Sequence, residues 1–558
     1  TALRYFCSPQ HTDSALYPVI VQVERAARLE HNDTPEVKLD KLDALLARTG
    51  TSKQDAALIA EMLSLPNDGR YPALELTPQQ RRQRTLDAVI WQMEASGSRP
   101  VVMVFEDGHW ADPTSLEVFG RAVSKIAGHR LLLILTFRPD FAPPWIGQPY
   151  VTTVTLNRLA PREAGLMIDR IVGSEPLSTS IRQDIIERTD GIPLFVEEMT
   201  KAVLEAESES KAQPTAALVP SPTLAVPASL QASLTARLDR LGPARELAQI
   251  GAAIGREFSH ALVAAVARKR ETELLSELDR LIGAGLLLRQ GALPHATYLF
   301  KHALVRDAAY GTLLREARQA LHGRIAETLE SQFVEIAKNQ PELLARHRNE
   351  AGQIERAAEL WGQAGRRSLE RSALVEATKQ ISCALDLIAT LPSTPALRRE
   401  QIELQVALIT PLLHVFGYAA PETRAAMDRA RLLIEQATWL GEPPEDPLLL
   451  FSVLYGFWVA NIVAFNGDIV RELGAQCLAL AEKQKETVPL IIAHRVMASS
   501  LTFTGDIAES RAHSDQAIAL YNPAEHRALA TRFGVDIRVA VLTLRSAALW
   551  SLGYPEAA

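Results

Sequence analysis

The sequence predicts a mainly α-helical chain with an α/β part at its N-terminal end. Three observations carry that expectation. Residues 101–106 (VVMVFE) run through five apolar residues straight into two adjacent carboxylates, Glu106 and Asp107, and a second apolar run, 130–137 (RLLLILTF), follows a helix-like stretch. Unbroken apolar runs of this length are the pattern of parallel strands covered on both faces. From about residue 315 onward the apolar positions recur only at helical spacing.

In chain order, the first 100 residues are mixed. Residues 14–28, 38–48 and 55–63 read as short helices, and Pro66-Asn67-Asp68-Gly69 as a turn. Thr77-Pro78 opens a helix to about Ala95 with proline at its first position, where a missing N–H costs nothing. The strand 101–106 follows, then a helix from Asp112-Pro113 to about Ala127, the strand 130–137, and an alternating segment, 150–156, as a third strand. Strand–helix–strand order implies a parallel sheet. Ligands of such sheets sit outside the carboxyl ends of the strands, which is where Glu106 and Asp107 lie.

Helices are expected at 161–173, 178–189 and 193–206, and the stretch 207–228, with Pro214, Pro220, Pro222 and Pro227, reads as a linker. Helices near 229–240, 243–254, 259–267 and 271–283 precede two short strands, 286–290 and 297–300, and a helix 301–314. That order is the order of a winged helix. In the last part the turns Asn466-Gly467-Asp468-Ile469, Thr504-Gly505-Asp506-Ile507 and Gly553-Tyr554-Pro555 return at offsets of 38 and 48 residues. Helix–turn–helix repeats of tetratricopeptide type have this form, and no single pair can bury its apolar face alone. The stretch 448–465 is 18 residues without a charge, at the threshold for a membrane span. Its Ser452, Gly456 and Asn461, and the repeats around it, make it a buried repeat helix instead.

A hydrophobic content of 47% with 22% charged residues is the balance of a soluble globular protein, and the length suits three to four domains. The net charge of −7 excludes an overall basic field for nucleic acid. Cys7, Cys383 and Cys477 lie far apart without metal or redox spacing, which suits a reducing, cytoplasmic location. No signal peptide is visible and no G-x-S-x-G elbow occurs. The strand 101–106 with its acidic end looks like a Walker B strand, yet G-x-x-x-x-G-K-[ST] occurs nowhere in the 558 residues. The chain starts at Thr1 and ends inside a helical pattern, so the expectation is a fragment of a longer protein, with a complete but degenerate domain as the other reading.

Several motifs recur in a fixed order: Leu3-Arg4-Tyr5-Phe6-Cys7-Ser8-Pro9 with Asp13-Ser14-Ala15-Leu16-Tyr17-Pro18; Phe105-Glu106-Asp107 with His109-Trp110-Ala111-Asp112-Pro113; Thr136-Phe137-Arg138-Pro139; Gly191-Ile192-Pro193-Leu194-Phe195-Val196-Glu197-Glu198; and Phe300-Lys301-His302-Ala303-Leu304 with Asp307-Ala308-Ala309-Tyr310. With these motifs the chain resembles the STAND-type (AAA-like) ATPase and helical-repeat region of bacterial multidomain signalling proteins. In particular it looks like the part that follows the cyclase domain in class III adenylate/guanylate cyclases. The resemblance covers nearly the whole chain. It implies a truncated P-loop-type ATPase core at 1–157, a helical lid at 158–206, the linker 207–228, a winged-helix unit at 229–314 and tetratricopeptide-like repeats at 315–558. The departure is the missing Walker A loop, which the family places just before the residue where this chain begins.

The resemblance also implies roles. Glu106 stands at the family's metal-binding carboxylate and Asp107 at its water-orienting one, and the two are exchangeable; an acidic pair capping the next turn is the plainer alternative. Arg138 matches a sensor arginine for a γ-phosphate, or is a surface partner of Asp140. Gly191 and Pro193 match a Gly-x-Pro beside the adenine ring, or an ordinary helix start. His302 matches a winged-helix latch on the ADP β-phosphate, or a structural histidine. His109 and Trp110 are expected to be packing residues. The implied cofactors are ATP/ADP and Mg²⁺ in a full-length parent, with none bound by the fragment itself and hence no activity in it. The implied partners are a protein or small-molecule inducer on the repeats and nucleotide-dependent self-association, without nucleic acid or membrane. The expected function is the ATP/ADP switch of a signalling protein with cyclase output. A transcriptional regulator missing its DNA-binding domain and a pure repeat scaffold are the alternatives.

Overall fold

The computed structural model describes the chain apart from residues 1, 31–32, 68, 75, 77, 97–99, 126–127, 174–176, 213–229, 418–419, 443–445, 447, 528, 530–532 and 534. By internal compactness it falls into two units, 1–138 with 339–346 and 353–558, and 139–338 with 347–352.

The first unit opens with β1 (Ala2–Phe6), α1 (Tyr17–Ala27), α2 (Pro35–Ala47), α3 (Lys53–Met62), α4 (Pro78–Ser96), β2 (Val101–Glu106), α5 (Pro113–Lys125) and β3 (Leu131–Leu135). Thr34 and Ser52 cap α2 and α3 by accepting the Val37 and Asp55 N–H groups, each satisfying one of the donors a helix start leaves open. The strands form one parallel sheet in the order β1-β2-β3, with Phe6 opposite Glu106 and Phe105 opposite Leu135. Its core is aromatic. Tyr5 stacks on Phe105 at 4.1 Å between ring centroids, and Phe119 of α5 lies 3.6 Å from Phe105.

The sheet corrects the sequence reading in three ways. The partner of β2 on one side is β1, within a segment read as mixed. The segment 150–156, read as a strand, has none; Val154 and Leu156 are 73% and 90% exposed. Alternation makes a strand only where a neighbouring edge takes up its backbone groups, and here none does. The run 130–137, read as buried on both faces, is covered on one. Leu132 and Ile134 of β3 are largely exposed.

The second unit contains α6 (Pro161–Val172), α7 (Thr179–Thr189) and α8 (Pro193–Ala212), followed by α9 (Leu230–Arg240), α10 (Ala244–Ile254), β4 (Glu257–Ser259), α11 (His260–Ala267), α12 (Glu271–Gly283), β5 (Leu287–Gln290), β6 (Thr297–Phe300), α13 (Ala303–Gly311) and α14 (Arg315–Gln332). The helix α8 runs on through residues 207–212, which were read as linker. Ala, Glu and Lys in that stretch are good helix formers. The rest of that linker, with its prolines, lies outside the described residues. The expected two-stranded wing has a third strand: β4 pairs with β6, which pairs with β5, all antiparallel. Three residues, Glu257 to Ser259, are too few to show a period of two.

After α15 (Val334–Asn339) and α16 (Pro341–Glu350) come α17 (Ile354–Glu370), α18 (Leu374–Ala389), α19 (Pro395–Phe416), α20 (Pro421–Trp439), α21 (Leu448–Val463), α22 (Gly467–Gln484), α23 (Thr487–Thr504), α24 (Ile507–Leu520), α25 (Pro523–His526) and α26 (Ile537–Ser551). From α17 to α24 each helix packs on the next. The close crossings are made at glycines. A Cβ on Gly365 of α17 would collide with the Ile381 side chain of α18, and one on Gly474 of α22 would lie 2.7 Å from the Met497 sulfur of α23. The uncharged segment at 448–465 is a helix of this array, with Phe451, Leu454, Tyr455 and Trp458 in its core. Among the described residues no helix is long and apolar enough to cross a membrane.

Candidate functional site

In the first unit the chain reverses at the carboxyl end of β2. The Cys7 N–H donates to the Glu106 carbonyl, and the Gly108 N–H donates to the Thr136 carbonyl at 2.8 Å. The Asp107 N–H donates to the Thr136 hydroxyl at 3.0 Å. These bonds hold Asp107 at φ 57°, the left-handed region that Asp tolerates better than most residues. Such backbone persists where its surroundings fix it, and it concentrates at functional sites. Gly108 is tightly enclosed, since a Cβ there would lie 2.6 Å from the Leu135 side chain. Glu106, Asp107 and the exit of β3 toward Arg138 therefore share one edge of the sheet. Arg138 is exposed, lies over the Trp110 ring at 5.1 Å, and makes no ion pair with Asp140 among the described residues. His109 packs on Trp110 at 4.4 Å.

Four carboxylates of the first unit, Asp13, Asp112, Glu342 and Glu376, bear on structure. Asp112 is fully buried and caps α5. It accepts from the Ser115 N–H at 2.8 Å, the Ser115 hydroxyl at 2.6 Å and the Leu16 N–H at 2.9 Å. Burial, with Glu376 as a nearby like charge, pushes its pKa up to about 7 against the pull of those hydrogen bonds. Glu376 of α18 accepts from the Thr114 N–H at 2.9 Å. Asp13 pairs with Arg346 and Lys379, its carbonyl accepts from Gln380 at 2.6 Å, and the Ser14 hydroxyl donates to Glu342 at 2.7 Å. The motif at residues 13–18 thus ties the α/β part to α16 and α18. Local sequence shows Asp112 as a helix cap followed by Pro113, but nothing local points to Glu342, Glu376 or Arg346 as partners.

The second unit holds Gly191, Pro193 and His302. Gly191 sits at φ 67°, its carbonyl accepts from the Leu159 N–H at 2.7 Å, and a Cβ would strike the Leu159 carbonyl oxygen. Only glycine fits that approach. Pro193 is the first residue of α8. His302 precedes α13, and its Nε2 is buried without a hydrogen-bond partner among the described residues. Burial lowers its pKa and Lys301 adds to that effect. Glu197, Glu198 and His302 each offer one ligand atom within 4.8 Å of the others. The cluster is already matched by cations. Glu197 accepts from Lys201 and Lys301 at 2.5 and 2.7 Å, and Glu198 pairs with the buried Arg237. Burial works to raise the Glu197 pKa, but the two ammonium groups bring it down to about 2. A divalent ion there would face two lysines, so this group does not suit a metal.

No family model matches the chain. Among curated proteins, an uncharacterized protein of Rhizobium meliloti (strain 1021) is 27% identical over 494 residues, covering 86% of this chain and 46% of that protein. The chain thus spans about half the length of the curated relative it matches. Among solved structures, a signal transduction ATPase with numerous domains (STAND) carrying a tetratricopeptide repeat sensor, from Pyrococcus horikoshii, aligns with a TM-score of 0.35 at 11% identity. That alignment covers 99% of this chain and 78% of the other. The agreement is too loose to establish a common fold.

Proposed function

We propose that this chain is the nucleotide-switch and sensor part of a larger signalling protein of the STAND type. The observation that supports the reading best is the edge of the parallel sheet: two adjacent carboxylates end its central strand, Asp107 is held in a left-handed conformation, and Arg138 follows the neighbouring strand. Hard carboxylate oxygens suit Mg²⁺, which prefers one or two of them beside phosphate oxygens. Glu106 or Asp107 would hold that ion in the parent protein, and the ion would offset charge on the phosphates. The other carboxylate would orient a water, and the fixed charge of Arg138 would meet a terminal phosphate. Gly191, Pro193 and His302 would contribute to ADP recognition, with His302 as the latch of a closed state. The helical array would bind the inducer, a protein or small molecule, and shift the equilibrium by differential affinity for the two states. The output would be cyclic-nucleotide synthesis by a cyclase domain elsewhere in the parent.

The test is made in the longer parent protein. Glu106→Gln together with Asp107→Asn keeps shape and removes charge. ATP hydrolysis is expected to fall at least ~100-fold while ADP affinity stays within a few-fold. Unchanged turnover in the double variant would assign both carboxylates to capping the turn.

A further inference from the structure

Two imidazoles of the helical array face each other across a helix–helix contact. Nδ1 of His494 in α23 lies 2.9 Å from Nδ1 of His513 in α24, and both residues are half-buried. At that distance one nitrogen donates its proton and the other accepts it. Burial lowers the pKa of His494, and His513 adds to that effect. Burial also lowers the pKa of His513, against the pull of Glu509 and Glu482. Both rings are thereby held toward the neutral form, which is the form that binds a metal ion.

Carboxylates stand beside the pair. Glu509 precedes His513 by four residues, so the two share a face of α24. Glu482 of α22 also acts on His513 through its charge. Both carboxylates are exposed, and neither makes an ion pair among the described residues. Arg471 of α22 and Arg511 of α24 pair with Asp506 and Asp515 instead. A second facing pair, His322 and His347, approaches to 2.8 Å, but both of its rings are buried and the Tyr310 hydroxyl holds Nε2 of His322. The pair in the array is reachable from solvent and has acidic oxygen donors next to it.

We propose that His494 and His513, with Glu509 as third ligand, form a site for one divalent ion of the zinc class, joining α23 to α24. Two imidazoles and a carboxylate are a zinc donor set, and they leave a position for water. Zinc–nitrogen bonds of about 2.0–2.1 Å set two nitrogens of a tetrahedral site about 3.3 Å apart, so the pair opens by roughly 0.4 Å to take the ion. Both Nδ1 lone pairs become available when the shared proton moves to Nε2 of the donor ring, and both rings stay neutral. The exposed Glu509 side chain reaches the ion by turning about its own bonds. An ion bound there cross-links two helices of the array and stabilises it by mass action.

The whole chain, without a purification tag and freed of metal by EDTA, is titrated with Co²⁺ and with Zn²⁺. One tight site per chain is expected, with the strong visible absorption of low-coordinate cobalt, bleached by Zn²⁺, and a thermal midpoint that rises with Zn²⁺. His494→Gln and His513→Gln are each expected to weaken binding at least about 100-fold, and Glu509→Gln about tenfold. Absence of saturable binding would overturn the proposal and leave the two histidines as a hydrogen-bonded pair. An unaltered affinity in any of the three variants would overturn it as well. If the histidine variants do not fold, X-ray absorption of the zinc-loaded, unaltered chain decides. Two imidazole neighbours of the metal support the site, and fewer than two overturn it. None of these outcomes touches the nucleotide-switch reading, which rests on the sheet edge at Glu106 and Asp107.

Discussion

Asp112 shows how one residue joins chemistry to folding in this protein. Its carboxyl is buried, accepts three hydrogen bonds, and titrates near 7 because burial and Glu376 disfavour its charge. An unfolded aspartate titrates near 4. Between about pH 4 and pH 7 the folded state therefore holds the proton that the unfolded state has lost, and stability falls as pH rises through that window. Asp112→Asn should lower stability by weakening the cap and also flatten this slope. Thermal midpoints of both proteins at pH 5 and pH 8 check it; an identical pH dependence would show that the carboxyl is ionised throughout. The comparison between variants matters because His322, whose burial pulls its pKa down to about 4, acts in the opposite direction. The site residues differ in how far the sequence exposed them. The position of Glu106, Asp107 and Arg138 at the ends of strands was legible because strand ends are local patterns. The structural duty of Gly191 was not, because the Leu159 carbonyl that excludes a side chain is 32 positions away in the chain, counting from 159 to 191.

At the scale of elements, the helical array depends on close crossings. Gly365 faces Ile381 with no room for a Cβ, while a Cβ on Gly323 of α14 would meet the Ala351 methyl at an ordinary contact distance of 3.8 Å. Gly365→Leu should cost about 1–3 kcal/mol by overpacking. Gly323→Ala should be neutral or stabilise by about 0.5–1 kcal/mol, since alanine loses less backbone entropy in a helix. Urea unfolding midpoints with unchanged slopes check both. Equal effects of the two changes would mean that the α17–α18 crossing relaxes freely. Helix positions were readable because a period of 3.6 repeats several times within one helix. The short strands β1 and β4 lacked that redundancy, and the segment 150–156 had the period without a partner edge.

For the whole molecule, the proposed switch makes His302 the residue to test. Its buried Nε2 and neutral-favouring surroundings leave it able to meet a ligand group, and Glu197 is already occupied by Lys201 and Lys301. In the longer parent, His302→Ala should raise basal output without inducer. Removing a charge-assisted hydrogen bond weakens a closed state by ~1–3 kcal/mol, and ~1.4 kcal/mol changes a two-state ratio about tenfold. Output that stays inducer-dependent, with ADP affinity unchanged, would assign His302 to structure alone.

The sequence by itself determined the class of this protein: an α/β start, a helical remainder, and a central strand that ends in adjacent carboxylates. These are local facts, written in apolar periods and in the residues that open and close each element. Only the tertiary structure decided that β1 pairs with β2, that β3 keeps one face open, that Asp13 and the Thr114 N–H tie the α/β part to α16 and α18, and that buried Arg495 donates to the Tyr455 hydroxyl. Each of these joins residues distant in the chain. Burial and hydrogen bonding, which act on whatever lies nearby in space, select such partners, and no local pattern records them.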